Sequence, residues 1–136
     1  MSDLGTLLIV EDNNDLRELF VGLFTPHGLK VLEAASARAA FDILKQGLKV
    51  DVIVSDIKMR DGGGIELLAK IKASGLLAQK PKVILITGFP TINLDKAREY
   101  GASDLLTKPF NNNLLKRSVS NCLRACGLPG LPGLPD

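Results

Sequence analysis

The stretch Val50-Asp-Val-Ile-Val-Ser-Asp-Ile-Lys-Met59 decides how this chain folds. It is apolar through Val50, Val52, Ile53 and Val54, which reads as a short buried strand, and it stops at Asp56. An acid at the end of a buried strand has little use unless it faces something. What it faces depends on the other strand ends.

Working outward, four more runs share this character: Thr6–Val10 (TLLIV), Leu29–Ala34 (LKVLEA), Val83–Thr87 (VILIT) and Asp104–Thr107 (DLLT). Segments of helical period lie between them. Asp15–Phe24 carries Leu16, Leu19, Phe20 and Leu23 at i, i+3, i+4 and i+7. Ser36–Gln46 repeats that spacing with Ala37, Ala40, Phe41 and Leu44, with Ser36 as N-cap and Gly47 as stop. Ile65–Ala73 follows with Ile65, Leu68 and Ile71 or Lys72 and is expected to end at Gly75. Asn93–Tyr100 is a weaker helix closed by Gly101, and Asn112–Ala125 is a longer one closed by Gly127. Strict alternation of strand and helix implies an α/β fold. Strands apolar on both faces imply a central parallel sheet between two helical layers. With right-handed crossovers, the expected architecture is a doubly wound (βα)5 sandwich of strand order 2-1-3-4-5.

Composition narrows the function. The 136 residues carry a net charge of +2, with 4% aromatics and no Trp, which argues against nucleic-acid binding. No apolar run approaches the ~18 residues of a membrane span, and the N-terminus lacks a basic region and cleavage site, so a cytoplasmic protein is expected. Cys122 and Cys126 read as reduced, packed thiols, and with His27 the lone histidine a structural zinc site is disfavoured. Residues 1–126 are expected to form one domain. The Gly-Leu-Pro repeats of 127–136 read as a disordered linker or an expression remnant, outside the fold.

In an open parallel sheet, ligands bind beyond the carboxyl ends of the strands, where the strand order reverses. Here the first strand ends in Glu11-Asp12, the third in Asp56, the fourth in Thr87-Gly88 and the fifth in Lys108-Pro109. Each alone could be a turn former, a helix cap or a solvated charge. Together they place three carboxylates, a hydroxyl and an ammonium at one edge. Like charges so placed raise one another's pKa unless a cation offsets them, and Lys108 alone cannot balance three. A hard divalent ion such as Mg²⁺ can, with one or two carboxylates and several waters in its shell. The set suits phosphoryl transfer, with Asp56 as nucleophile, Thr87 donating a hydrogen bond and Lys108 neutralising charge on the phosphoryl oxygens.

The motifs LLIVEDN, VDVIVSDIKMRDGGGIELL, VILITG and GASDLLTKPF, in that order over about residues 5 to 125, resemble the receiver domain of bacterial two-component response regulators. The resemblance implies that Asp56 accepts a phosphoryl group from the phospho-His of a sensor histidine kinase or phosphotransfer protein. It implies Mg²⁺ held by Asp12, Asp56 and the main-chain carbonyl of Lys58, with Glu11 acting mainly through water. Thr87 and Lys108 would sense the phosphoryl group, and the change would pass to an output domain, another partner or a homodimer. Lys108–Pro109 is expected to be cis. The chain also departs from the family pattern. Leu105 stands where Tyr or Phe is common, and Arg60 where Pro is common, which predicts a more mobile loop. The stretch from Thr87 to Lys108 looks about one residue short and contains Pro90, so the fourth helix is expected to be irregular or shortened.

Three other functions compete with this reading. A receiver-like binding platform would take no phosphate. A Mg²⁺-dependent phosphatase with an Asp nucleophile generally has a second acid two residues on, where this chain has Lys58. A nucleotide or flavin module would need GxGxxG or GxxxxGK[ST] after the first strand, and neither is present.

Overall fold

A computed structural model of the chain describes residues 4–60, 62–74, 80–88 and 92–134. Five strands, β1 (Thr6–Val10), β2 (Lys30–Ala34), β3 (Val52–Asp56), β4 (Lys82–Thr87) and β5 (Asp104–Thr107), alternate with five helices. These are α1 (Asn14–Phe24), α2 (Ala37–Lys45), α3 (Gly64–Ala73), α4 (Leu94–Glu99) and α5 (Asn112–Ala125). All pairings are parallel and the order is β2-β1-β3-β4-β5, as expected from the alternation. A single-turn 3-10 helix at Thr25–His27 links α1 to β2. The expected end of α3 at Gly75, and Pro90, lie outside the described residues.

Side chains alternate across the sheet, so each central strand feeds two cores. Leu7, Ile9, Val52, Val54, Ile84 and Ile86 meet Phe20 and Phe24 of α1 and Leu115, Val119 and Leu123 of α5. Leu8, Val10, Ile53, Val83 and Leu85 meet the small stripe of α2, Ala37 and Ala40, with Leu67, Leu68 and Ile71 of α3. The helix starts follow the sequence closely. Ser36 accepts the N–H of Ala39, and Asn13, Asn93 and Asn111 cap α1, α4 and α5 in the same way. The fourth helix is short, at six residues. The two cysteines are free thiols, and burial pushes that of Cys122 up to about 11.

The Gly-Leu-Pro segment overturns its expected place outside the fold. Helix α5 ends in a Schellman motif, in which the N–H of Gly127 donates to the carbonyl of Arg124 and that of Leu128 to Leu123. The chain then runs back along α5. Leu128, Leu131 and Leu134 all turn toward the α1–α5 core, and Leu131 is only 3% exposed. The N–H of Leu131 donates to the buried Ser120 hydroxyl at 2.9 Å. Gly130 makes this approach possible: at φ +86°, an added Cβ would lie 2.8 Å from both Ser120 Oγ and Arg124 Nε. The repeat concealed this because its glycines and prolines suggest a linker, while three leucines spaced by three supply anchors.

We expect Leu131→Ala to cost about 2–3 kcal/mol, within the range for buried leucine truncations, and deletion of residues 127–136 to cost at least as much. Urea denaturation checks both. A deletion variant with an unchanged midpoint would show that the segment adds nothing to the core.

Candidate functional site

The site is built by strand order. Because β1 and β3 are neighbours, with Val10 beside Ser55, the residues that leave them emerge side by side at the carboxyl edge. Glu11 follows β1 directly and is held by a last sheet hydrogen bond from its N–H to the carbonyl of Ala34 at 3.1 Å. It is 3% exposed. Its Oε2 accepts the N–H of Asn13 at 3.1 Å. Asp56 is the last residue of β3, with its side chain 13% exposed. Asp56 Oδ1 accepts the N–H of Lys58 at 3.1 Å, and Oδ2 lies 3.3 Å from Lys108 Nζ. Thr87 ends β4 and is buried, and its carbonyl accepts the N–H of Lys108 at 2.8 Å, which sets β5's exit beside β4's. The Lys108–Pro109 bond is cis.

The expected residues therefore come together. Glu11, Asp12, Asp56 and Lys108 meet at one edge, and Lys58 and Thr87 flank Asp56 on the exits of β3 and β4. Glu11's carboxyl interacts with both Asp12 and Asp56. Among the described residues, no three or more His, Cys, Asp or Glu side chains gather into a ready-made metal cage. The three acids lie beside one another at this edge without forming such a cage.

The electrostatics follow from this packing. Burial, and then the charge of Asp56, push Glu11 up to about 7, against the Asn13 N–H that pulls it down. The N–H and guanidinium of Arg60 hold Asp12 below the usual carboxylate range. The groups that could hold an ion here are all hard oxygens, the carboxylates of Asp12 and Asp56 and the Lys58 carbonyl, with the Glu11 carboxyl beside them. This set fits Mg²⁺ and suits no soft metal.

Some supporting residues were not apparent in the sequence. Arg17, on α1, donates to the Glu11 carbonyl at 2.8 Å, to Asn14 Oδ1 at 2.6 Å and to Glu33 Oε1 at 3.2 Å, tying the β1 exit to β2. Its one sequence signal is its place three residues after Asn14, too common to stand out. Gly63 caps α3 where an added Cβ would collide with the carbonyl of Ile57, and one on Gly64 would lie 2.5 Å from Leu85 Cδ2. The absence of a side chain at these two positions lets α3 start against the end of β3. Arg60 does not simply loosen the loop, since its N–H donates to Asp12 Oδ2 at 3.1 Å. Leu105 pairs with Leu85 and packs against the α2–α3 core, so β5 presents no aromatic ring there.

The profile of the family described as "Response regulator receiver domain" matches residues 7–120. This chain belongs to that family. The receiver is 30% identical over 118 residues to the two-component response regulator ORR5 of Oryza sativa subsp. japonica, covering 87% of this chain and 88% of that one. It is 28% identical to the chemotaxis protein CheY homolog of Campylobacter jejuni (strain 81-176), covering 86% of this chain and 91% of that one. It is also 33% identical to histidine kinase P4 of Formosa agariphila, where the match takes 88% of this chain but only 8% of the relative. Among solved structures, the signal receiver domain of a putative Luxo repressor protein from Vibrio parahaemolyticus superposes with a TM-score of 0.81 at 25% identity, covering 90% of this chain and 92% of that one. The receiver is thus a response regulator module of two-component signalling. No helix among its described residues is long and apolar enough to cross a membrane.

Two predictions test the site. Between the ordinary carboxyl value of 4.5 and about 7, folded Glu11 binds more protons than unfolded Glu11, so its burial lowers stability as pH rises through that window. In chelator, Glu11→Gln should shrink the fall in unfolding free energy from about pH 5 to about pH 8 by ~1–3 kcal/mol. Urea titrations at both pH values measure it, and an unaltered pH slope would exclude Glu11 as the cause. Separately, Gly63→Ala should cost roughly 1–3 kcal/mol by overpacking and displace the loop that follows Asp56, seen as a lower urea midpoint and shifted amide resonances at 57 and 58.

Proposed function

We propose that Asp56 is the phosphoryl acceptor of this receiver and that a phosphohistidine of a sensor histidine kinase or phosphotransfer protein is the donor. The observation that carries the reading is the placement of Asp56 at the end of β3, with Oδ2 3.3 Å from Lys108 Nζ and two further acids beside it. In the transfer, a carboxylate oxygen of Asp56 forms a bond to phosphorus while the bond from phosphorus to the imidazole nitrogen breaks. The imidazole leaves with the bonding pair. The product is an acyl phosphate, the class of intermediate that carboxylate nucleophiles form.

The chain's own residues have distinct parts in this step. The Lys58 N–H holds one oxygen of Asp56 and so orients the carboxylate. Lys108 neutralises the charge that spreads over the phosphoryl oxygens, and Thr87, at the adjacent strand end, supplies a hydroxyl to one of them. Asp12, Asp56 and the Lys58 carbonyl would hold Mg²⁺, with Glu11 acting through water. When bound, the ion supplies further charge neutralisation at phosphorus. Lys58 is no acid or base for steady hydrolysis, which favours a switch over a phosphatase. The phosphorylated state would act on an output domain, another partner or a second copy, in the cytoplasm.

Two new charge-assisted hydrogen bonds contribute about 1.5–3 kcal/mol each. Moving a two-state equilibrium from 1:99 to 99:1 takes about 5.5 kcal/mol. Contacts from Thr87 and Lys108 therefore bias the receiver, and a partner completes the change.

Incubated with MgCl₂ and acetyl phosphate or phosphoramidate, the wild-type chain should gain the mass of one phosphoryl group. Asp56→Asn, and wild type in EDTA, should gain none. Equal incorporation by Asp56→Asn would remove Asp56 from this role.

A further inference from the structure

Arg60 reaches the acidic edge from the loop between β3 and α3, and both of its contacts there fall on one atom. Its N–H donates to Asp12 Oδ2 at 3.1 Å, and its Nε lies 3.5 Å from the same oxygen. Asp12 thus has one carboxylate oxygen already engaged by a main-chain donor and a guanidinium. The two groups differ in accessibility. The Arg60 side chain is 84% exposed and that of Asp12 24%, so the guanidinium is free to swing into solvent while the acid stays in place.

The charges around the site sharpen the point. Among the described contacts, Lys108 pairs with Asp56 and Arg60 with Asp12, while the Arg17 guanidinium is turned to the Glu11 carbonyl and Glu33. Each of the two more accessible acids has its own cation. An arriving divalent ion would meet acids that are already paired and would have to take the place of a cation. Lys108 directly follows β5 and serves Asp56. Arg60 is on the outer rim and is the more easily displaced of the two.

We propose that Arg60 is a tethered counter-cation that competes with Mg²⁺ for Asp12, so that it sets the metal affinity of the receiver. It acts only through Asp12 and touches neither metal, phosphorus nor donor. The proposal rests on the reading of Asp12 as a Mg²⁺ ligand. The competition is graded, because an exposed ion pair contributes little and is screened by salt. It tunes affinity and cannot block the site. A residue with neither cationic side chain nor N–H, as proline would be, offers no such competition.

The test is Mg²⁺ affinity with no phosphoryl donor present, read from amide resonances near Lys58 and from the Arg60 Nε–H resonance on addition of MgCl₂. Arg60→Gln should bind Mg²⁺ about two- to fivefold more tightly than wild type at low salt, the span an exposed ion pair supports. Arg60→Lys, which keeps the charge, should stay near wild type, and Arg60→Pro should bind at least as tightly as Arg60→Gln. The advantage of Arg60→Gln should narrow as NaCl rises. In wild type, the Arg60 Nε–H signal should shift with the same half-saturation as the Lys58 amide. Equal or weaker binding by Arg60→Gln, or an Arg60 Nε–H signal indifferent to the metal, overturns the proposal while leaving the phosphorylation reading intact. A wild-type chain that binds no Mg²⁺ overturns that reading itself. Urea midpoints of the variants report any structural damage separately from affinity.

Discussion

The parallel pairing of β1 with β3 is the constraint on which the site depends. Its register sets Val10 beside Ser55, so the chain must deliver Glu11-Asp12 and Asp56 to the same edge. Three carboxylates are then held near one another by a ladder of backbone hydrogen bonds and by apolar cores on both faces of the sheet. The result is a group of acids that cannot move apart and are offset by cations in place of relaxation.

Those offsets are distributed unevenly. Lys108 serves Asp56 from the exit of β5, and Arg60 serves Asp12 from the loop after β3. Glu11, the most buried, has the N–H of Asn13 and no cation on its carboxylate among the described contacts, and burial raises its affinity for a proton. A site in this condition is receptive to added positive charge and to a phosphoryl group that brings its own contacts to Thr87 and Lys108. The supporting positions are steric as much as polar. Gly63 and Gly64 let α3 begin in contact with the end of β3, and Arg17 fastens the loop after β1 from behind.

The opposite side of α5 shows how far a short repeat can be integrated into a fold. Ser118 on one flank donates to Asp104 on β5, and Ser120 on the other accepts from Leu131. Helix α5 is therefore held between β5 and the returning Gly-Leu-Pro segment, and both contacts are made by hydroxyls that also close off buried polar groups.

Much of this was legible in the residues. Runs such as Thr6–Val10 and Val83–Thr87, alternating with stripes such as Ala37, Ala40 and Leu44, determine a parallel sheet between two helical layers, because only that arrangement buries strands apolar on both faces. The identities of the strand-end residues determine the chemistry, since an acidic edge with one lysine has few uses. Other features arise only from tertiary structure, because they depend on partners distant in the chain. The collision that excludes a Cβ at Gly63, the clamp of Arg17 on Glu33, the paired donors of Arg60 on Asp12 and the burial of Leu131 are properties of contacts. Local sequence specifies the period and the caps. Which surface a loop arginine or a repeated leucine meets is decided when the layers close.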